Sequence, residues 1–133
     1  MFSEVVSSRT ADVIVSVQTA YLPGQSNPEL DSYTFAYRIR ITNESTEPVQ
    51  LLRRAWLITD GVGRKRKVEG EGVVGQKPVL LPGQSHEYVS GCEFKTCIGN
   101  MRGYYVMTHP SDRDHEFKVR IPSFTMATPH TLN

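Results

Sequence analysis

Apolar and polar residues alternate with a period of two along most of this chain. In SYTFAYRIRITN, residues Tyr33, Phe35, Tyr37, Ile39 and Ile41 interleave with Thr34, Ala36, Arg38, Arg40 and Thr42, which predicts a strand with one buried and one wet face. TADVIVSVQTAY behaves similarly, with Ala11, Val13, Val15, Val17 and Tyr21 on one side and Asp12, Ser16 and Gln18 mostly on the other, before a Pro, Gly and Asn loop from Pro23 to Pro28. After the polar turn NESTEP, residues 49–60 predict a third strand in which Leu52, Trp56 and Ile58 share a face with Arg54. Asp60-Gly61 followed by Gly63 is turn chemistry, so RKRKV reads as the returning strand of a hairpin. PVLLPGQSHEYVSGCEF gives two more strands around Pro82-Gly83, where Pro presets one φ and Gly accepts the positive φ of a type II turn. Met101, Gly103, Tyr105 and Met107 alternate with Arg102, Tyr104, Val106 and Thr108, and Phe117, Val119 and Ile121 alternate with Lys118 and Arg120. Pro122 cannot donate to a ladder, so the last strand is expected to end there or to lie at an edge.

No segment carries a 3.6-residue period over the length a stable helix needs. The pattern therefore predicts an all-β single domain, an immunoglobulin-like or fibronectin type III-like antiparallel β-sandwich of seven to nine strands, with a small barrel as the second architecture. Its ordered part is expected over about residues 10–126 of the 133, with flexible termini. Trp56, Phe35, Tyr37, Val15 and Phe117 are the expected core.

Composition narrows the function classes. Hydrophobic residues make up 38% and charged residues 22%, a profile that fits neither a disordered chain nor a membrane protein. Fifteen Lys and Arg against fourteen Asp and Glu leave a net charge of +1, so no global field draws the chain to nucleic acid or anionic lipid. No run of apolar residues is long enough to span a membrane, and MFSEVVSSRT lacks the charged and apolar blocks of a secretory leader. The expectation is a cytoplasmic protein with no membrane partner and no specific nucleic-acid partner.

The reactive residues form no recognisable frame. Cys92 and Cys97 stand five positions apart, an odd offset that turns them to opposite faces of a strand, so two free thiols are expected. No Cys/His signature or GxSxG elbow fixes a nucleophile beside a base. HPSDRDHE gathers His109, Asp112, Asp114, His115 and Glu116, but its spacing matches no zinc or calcium template and reads as a solvated hairpin loop. Neither a catalytic residue, a metal nor a cofactor is expected.

One motif invites a sharper reading. In VEGEGVVGQKPV, Gly70, Gly72 and Gly75 fall in the order GxGxxG. A dinucleotide site needs a helix after those glycines to supply amides and dipole to the pyrophosphate, and QKPVLLPG forbids one. What remains is a loop whose glycines serve a close backbone approach or positive φ, an anion-binding nest, or a protein-contact surface. Arg64, Lys65, Arg66 and Lys67 precede the loop as the densest positive charge in the chain. They blunt a sheet edge or, together with Gly70, Gly72, Gly75 and Gln76, contact a ligand or partner.

The linked segments GEGVVGQKPVLLPGQSHEYVSGCEF, GNMRGYYVM and FKVRIPSFTM closely resemble the ApaG family of small bacterial proteins, over about Thr10 to Met126. The resemblance implies a fibronectin type III-like fold and, through related modules in eukaryotic F-box proteins and a polymerase-interacting protein, a role in protein contacts. The family's names point to a neighbouring dinucleoside tetraphosphate hydrolase gene and to cobalt and magnesium tolerance, without defining a chemistry. By position, its glycine motif falls on Gly70, Gly72 and Gly75, and its SGC segment on Ser90, Gly91 and Cys92; Cys97 replaces an expected Pro, and SDRDHE an expected glycine. The expected function is a non-catalytic protein-protein interaction module, with another protein as partner and a homodimer compatible with it. The alternative is a phosphate, pyrophosphate or nucleotide sensor built on the glycine loop and the basic run. A Gly72 or Gly75 variant that loses its partner while keeping its unfolding midpoint would separate the protein-contact reading from a purely structural loop, and a saturable rise in melting temperature with ATP would mark the nucleotide alternative.

Overall fold

The alternating runs become strands whose apolar sides meet across a sandwich. The computed structural model describes residues 2–129, and Met1 and residues 130–133, to which the expected terminal flexibility partly refers, lie outside the described residues. The strands are β1 (Val6–Thr10), β2 (Val13–Tyr21), β3 (Tyr33–Asn43), β4 (Val49–Asp60), β5 (Lys65–Glu71), β6 (Val79–Leu80), β7 (Ser85–Phe94), β8 (Ile98–His109) and β9 (Asp112–Ala127). One sheet has the order β1-β2-β3-β7, the other β5-β4-β8-β9, with β6 beside β5 on the same flank of β4. All pairings are antiparallel. This is the immunoglobulin-like, fibronectin type III-like sandwich that the periodicity predicts.

The core follows the alternation. Val13, Val15 and Val17 of β2, Phe35, Tyr37, Ile39 and Ile41 of β3, and Met101, Tyr105 and Met107 of β8 are buried. Trp56 stands edge-on to Tyr37 at 5.7 Å and to Phe124 at 5.9 Å. Such aromatic pairs add about 0.5–1.5 kcal/mol each to the area they bury.

Four details depart from the pattern, each for a local reason. Ala11 and Asp12 are not strand residues: with φ of 49° and 60° they form the two-residue turn between β1 and β2, which leaves β1 as an additional strand. In β4, Leu51 opposes Met107 and Arg53 opposes Val106, so Leu52 is the extra residue of a bulge. The bulge inverts the phase, so Leu51 takes the core position and Leu52 is only half-buried, off the face of Trp56. Pro122 does not end its strand. It lies in a second bulge, where Pro122 and Ser123 together face Arg102, and β9 continues to Ala127 along an edge of its sheet. Phe117 is half-buried and stacks on His109 at 5.1 Å.

The two flanks of the sandwich differ. On one, β1 and β9 are laced together, because Ser8 Oγ donates to the Arg120 carbonyl (2.8 Å) and Arg120 N–H donates to Thr10 Oγ1 (3.1 Å). On the other, the sheets end in β5 and β7. These edges are joined only loosely, by Arg66, whose guanidinium reaches Cys92 Sγ (3.7 Å) and the Glu93 carbonyl (3.5 Å).

Candidate functional site

That open flank holds a cleft of about 530 Å³ between β5 and β7. It is lined by Tyr37, Trp56 and Tyr88, by Arg54, Arg66, Ser90 and Cys92, and at the glycine loop by buried Val73 and exposed Val74. The loop is built from the β4 bulge outward. Gly72 N–H donates to the carbonyl of the bulged Leu52 (2.8 Å), and Arg54 donates from one guanidinium nitrogen to the carbonyls of Glu71 (3.0 Å) and Gly72 (2.8 Å). Gly70 leaves room for that guanidinium, which a Cβ would meet at 2.7 Å.

Beyond the tether, the chain makes a tight two-residue turn. Val73 N–H donates to Gln76 O (2.8 Å) and Gln76 N–H to Val73 O (3.0 Å), with φ of 47° at Val74 and 76° at Gly75, the geometry of a type I′ turn. Gly72 also has positive φ, 64°, and a Cβ there would collide with the Gln76 carbonyl oxygen. Gly72 and Gly75 are therefore needed by the backbone itself. Val74 is the anomaly: a β-branched residue in the left-handed region is a steric outlier, and its side chain is 65% exposed.

Strand alternation splits the basic run. Arg66 and Val68 oppose Ile58 and Trp56 and face inward, whereas Lys65 and Lys67 oppose Thr59 and Leu57 on the outer face. Arg64 belongs to the preceding turn, where its N–H donates to Asp60 Oδ1 (2.9 Å) and its exposed guanidinium lies 4.0 Å from Asp60 Oδ2. Of the residues expected at the site, only Arg66 lines the cleft with Val73 and Val74; Gly70 opposes Arg54 on the same inner face, where the guanidinium occupies the space a side chain would take, and Gln76 and Gly75 close the turn. Arg54, Tyr37, Tyr88 and Val74 were not singled out as site residues by sequence reasoning. The signal available for Arg54 was a charged residue in phase with Trp56.

The cleft is polar but quiet. Tyr88 and Tyr105 share a hydroxyl contact of 2.5 Å, and burial pushes both phenols well above the ordinary tyrosine range. Burial also raises the Tyr37 phenol, with a Ser90 hydrogen bond pulling it partly back. The Cys92 thiol is raised by burial, which outweighs the neighbouring Arg66 cation, so it is held as a thiol and not as the thiolate that nucleophilic chemistry uses. Cys97 is also free. Arg54 and Arg66 each have no carboxylate within ion-pair distance among the described residues.

The other polar features satisfy themselves. A hollow of about 600 Å³ on the outer face of the β5-β4-β8-β9 sheet is flanked by Arg53 and Glu116, which form a two-pronged pair at 2.6 and 3.2 Å, and by Lys118, whose ammonium lies 4.4 Å over the Tyr104 ring. The HPSDRDHE segment is a tight hairpin in which His109 hydrogen-bonds the Pro48 carbonyl (2.9 Å), while His115 pairs with Asp112 (3.1 Å). Among the described residues no three His, Cys, Asp or Glu side chains gather as metal ligands, and no helix is long and apolar enough to cross a membrane.

Fold and cleft together define a fibronectin type III-like sandwich with a recess at its open edge. The ApaG domain family matches residues 23–109. Protein ApaG of Bordetella pertussis is 47% identical over 122 residues, 92% of each chain, and Protein ApaG of Escherichia coli O139:H28 is 44% identical over 91% of this chain and 95% of its own. The crystal structure of the putative ApaA protein from Bordetella pertussis superposes with a TM-score of 0.85 at 45% identity, covering 91% of this chain and 97% of that one. The chain belongs to the ApaG family.

Proposed function

We propose that this protein is a non-catalytic protein-binding module of the cytoplasm whose contact surface is the glycine-loop apex and the cleft mouth beside it. The observation that carries the reading is Val74. Left-handed valine costs about 1–3 kcal/mol, and its 65% exposed side chain recovers none of that by packing in the isolated chain. Asn or Gly would make the same turn without strain. A strained apolar residue held out on a tethered loop is explained by what it touches in a complex, because surface apolar anchors contribute most when a partner buries them.

A second reading, an anion sensor for phosphate, pyrophosphate or a nucleotide, draws support from Arg54 and Arg66, two guanidiniums without ion-paired carboxylates at one cleft. Two considerations weigh against it: the loop amides of Gly72, Val73 and Gln76 are already spent on internal carbonyls, and Arg64, Lys65 and Lys67 point elsewhere.

The discriminating variant is Val74→Asn. Partners cross-linked in native cytoplasm and confirmed with purified components should be lost from Val74→Asn while its unfolding midpoint stays or rises. Undiminished binding would sink the loop-apex reading. A saturable rise in melting temperature with ATP or a dinucleoside polyphosphate, abolished in Arg66→Gln, would establish the anion reading in its place.

A further inference from the structure

Strand β7 is an edge strand of ten residues without Lys, Pro or a bulge, and its register with β3 runs unbroken from Tyr33↔Phe94 to Thr42↔Ser85. Lys, Pro and bulges are features by which edges normally avoid further pairing. The partner edge β5 has lysines at 65 and 67, with Arg66 between them. The two carboxylates of β7 are engaged by neighbours, Glu87 with Arg38 (3.7 Å) and Glu93 with the Ser32 hydroxyl (2.6 Å). Ladder geometry identifies the free groups. Asn43 N–H donates to Gln84 O (3.0 Å), one step beyond the Thr42↔Ser85 pair, so hydrogen-bonded rungs fall at 41, 39, 37 and 35 of β3. Residues Glu87, Val89 and Gly91 then turn their N–H and C=O away from β3. The Glu93 carbonyl, two residues further on, confirms that phase by accepting from Arg66 across the open flank.

Resting on the protein-binding reading above, we infer that β7 receives an extended, acidic segment of the partner as an added strand along Glu87–Gly91. Main-chain hydrogen bonds supply affinity in this mode, and alternate side chains supply specificity. One set of side chains from the added strand would enter the cleft between β5 and β7, where Arg54 and Arg66 have no carboxylate within ion-pair distance among the described residues. The charge of these two guanidiniums selects Asp or Glu. The other set would lie on the outer face beside Val89, which is 51% exposed, and selects an apolar residue. The inferred recognition pattern is thus an alternation of acidic and apolar residues over about five positions.

The test uses the full chain and a displayed library of ten-residue peptides randomised at every position, with the best binders resynthesised. Selected peptides should alternate Asp or Glu with apolar residues and should slow amide exchange at Glu87, Val89 and Gly91 at least about tenfold. Val89→Pro removes an outward N–H that no strand partner uses, so it should weaken the peptide roughly a hundredfold with little change in melting temperature. Arg66→Gln, a side-chain change that leaves the edge intact, should weaken it about tenfold. An empty selection, a consensus without acidic alternation, protection elsewhere on the molecule, or wild-type affinity in Val89→Pro would overturn the assignment. So would protection of these amides that rises with protein concentration in the absence of peptide, which would place a second copy at the edge. Val74→Asn is measured alongside: loss in that variant but not in Val89→Pro refutes the edge and spares the loop, whereas loss in neither refutes both.

Discussion

Three substitutions within four residues of the glycine loop should move stability by different amounts and in different directions. At Gly75, φ is 76° and nothing lies within 4 Å of the place a Cβ would occupy, so Gly75→Ala meets only the left-handed penalty of about 1–2 kcal/mol. At Gly72 the same penalty applies, and the new methyl also collides with the Gln76 carbonyl oxygen and comes within 3.3 Å of Lys77 Cγ. Backbone cannot yield as a flexible side chain can, so the overpacking adds about 1–3 kcal/mol. Val74→Asn goes the other way, exchanging a β-branched residue for one that tolerates left-handed geometry, with a gain of about 1 kcal/mol. Equilibrium urea unfolding followed through the single, buried Trp56 measures all three. With a slope of about 1.5 kcal/mol/M, the midpoint should fall by roughly 1 M for Gly75→Ala, fall by roughly 2 M for Gly72→Ala, and rise by about half a molar unit for Val74→Asn. Equal shifts for the two alanine variants, or a destabilised Val74→Asn, would refute the geometry from which these values are worked.

Further expectations can be checked on the same material. Trp56→Ala should cost about 3–5 kcal/mol, because it empties the contact with Tyr37 and Phe124; an unmoved urea midpoint would contradict this. Arg54→Met should cost about 1.5–3 kcal/mol by releasing two carbonyls from a charged donor, and should speed amide exchange at Gly72 before it affects the core. The Tyr37, Tyr88 and Tyr105 phenols are all raised by burial, so above about pH 10 the unfolded chain releases protons that the native state keeps. Stability then falls with rising pH by up to about 1.4 kcal/mol per unit for each tyrosine, and a midpoint constant to pH 11 would rule that out. Thiol titration in denaturant should find both Cys92 and Cys97, with Cys92 alkylated slowly in the native protein; one missing pair of thiols or one equivalent of zinc would contradict the free-thiol assignment.

Alternation made the strands legible, since a period of two maps directly onto which side chains face the core. It read β3 and β8 well because each is long and uninterrupted on its apolar side. It could not see the bulge at Leu52. Two adjacent leucines fit either phase, and the choice is made by pairing with β8, a partner about fifty residues away. Pro122 was informative as an edge marker but not as a terminus, because a bulge accommodates the missing donor. β1 escaped because VSSRT has no apolar face of its own and owes its order to β2. At the site, the three glycines were visible and the helix-free context removed the dinucleotide reading. Their physical purposes were hidden, since the Arg54 guanidinium under Gly70 and the Gln76 carbonyl under Gly72 are brought there by tertiary structure. Val74 was the least legible residue of all: a valine gives no local sign that it will be forced into a glycine's conformation.

The unequal flanks have a consequence for how the molecule breathes. With β1 and β9 stitched by Ser8, Thr10 and Arg120, the sandwich resembles a book bound along one spine, and β5 and β7 are its free page edges. Any motion that parts the sheets is therefore expected to be largest at the free edges, where it would widen the recess without exposing the centre of the core, and smallest at the spine. By the same geometry, anything that bridged β5 and β7 would act on both sheets at once, as a clasp across the free pages.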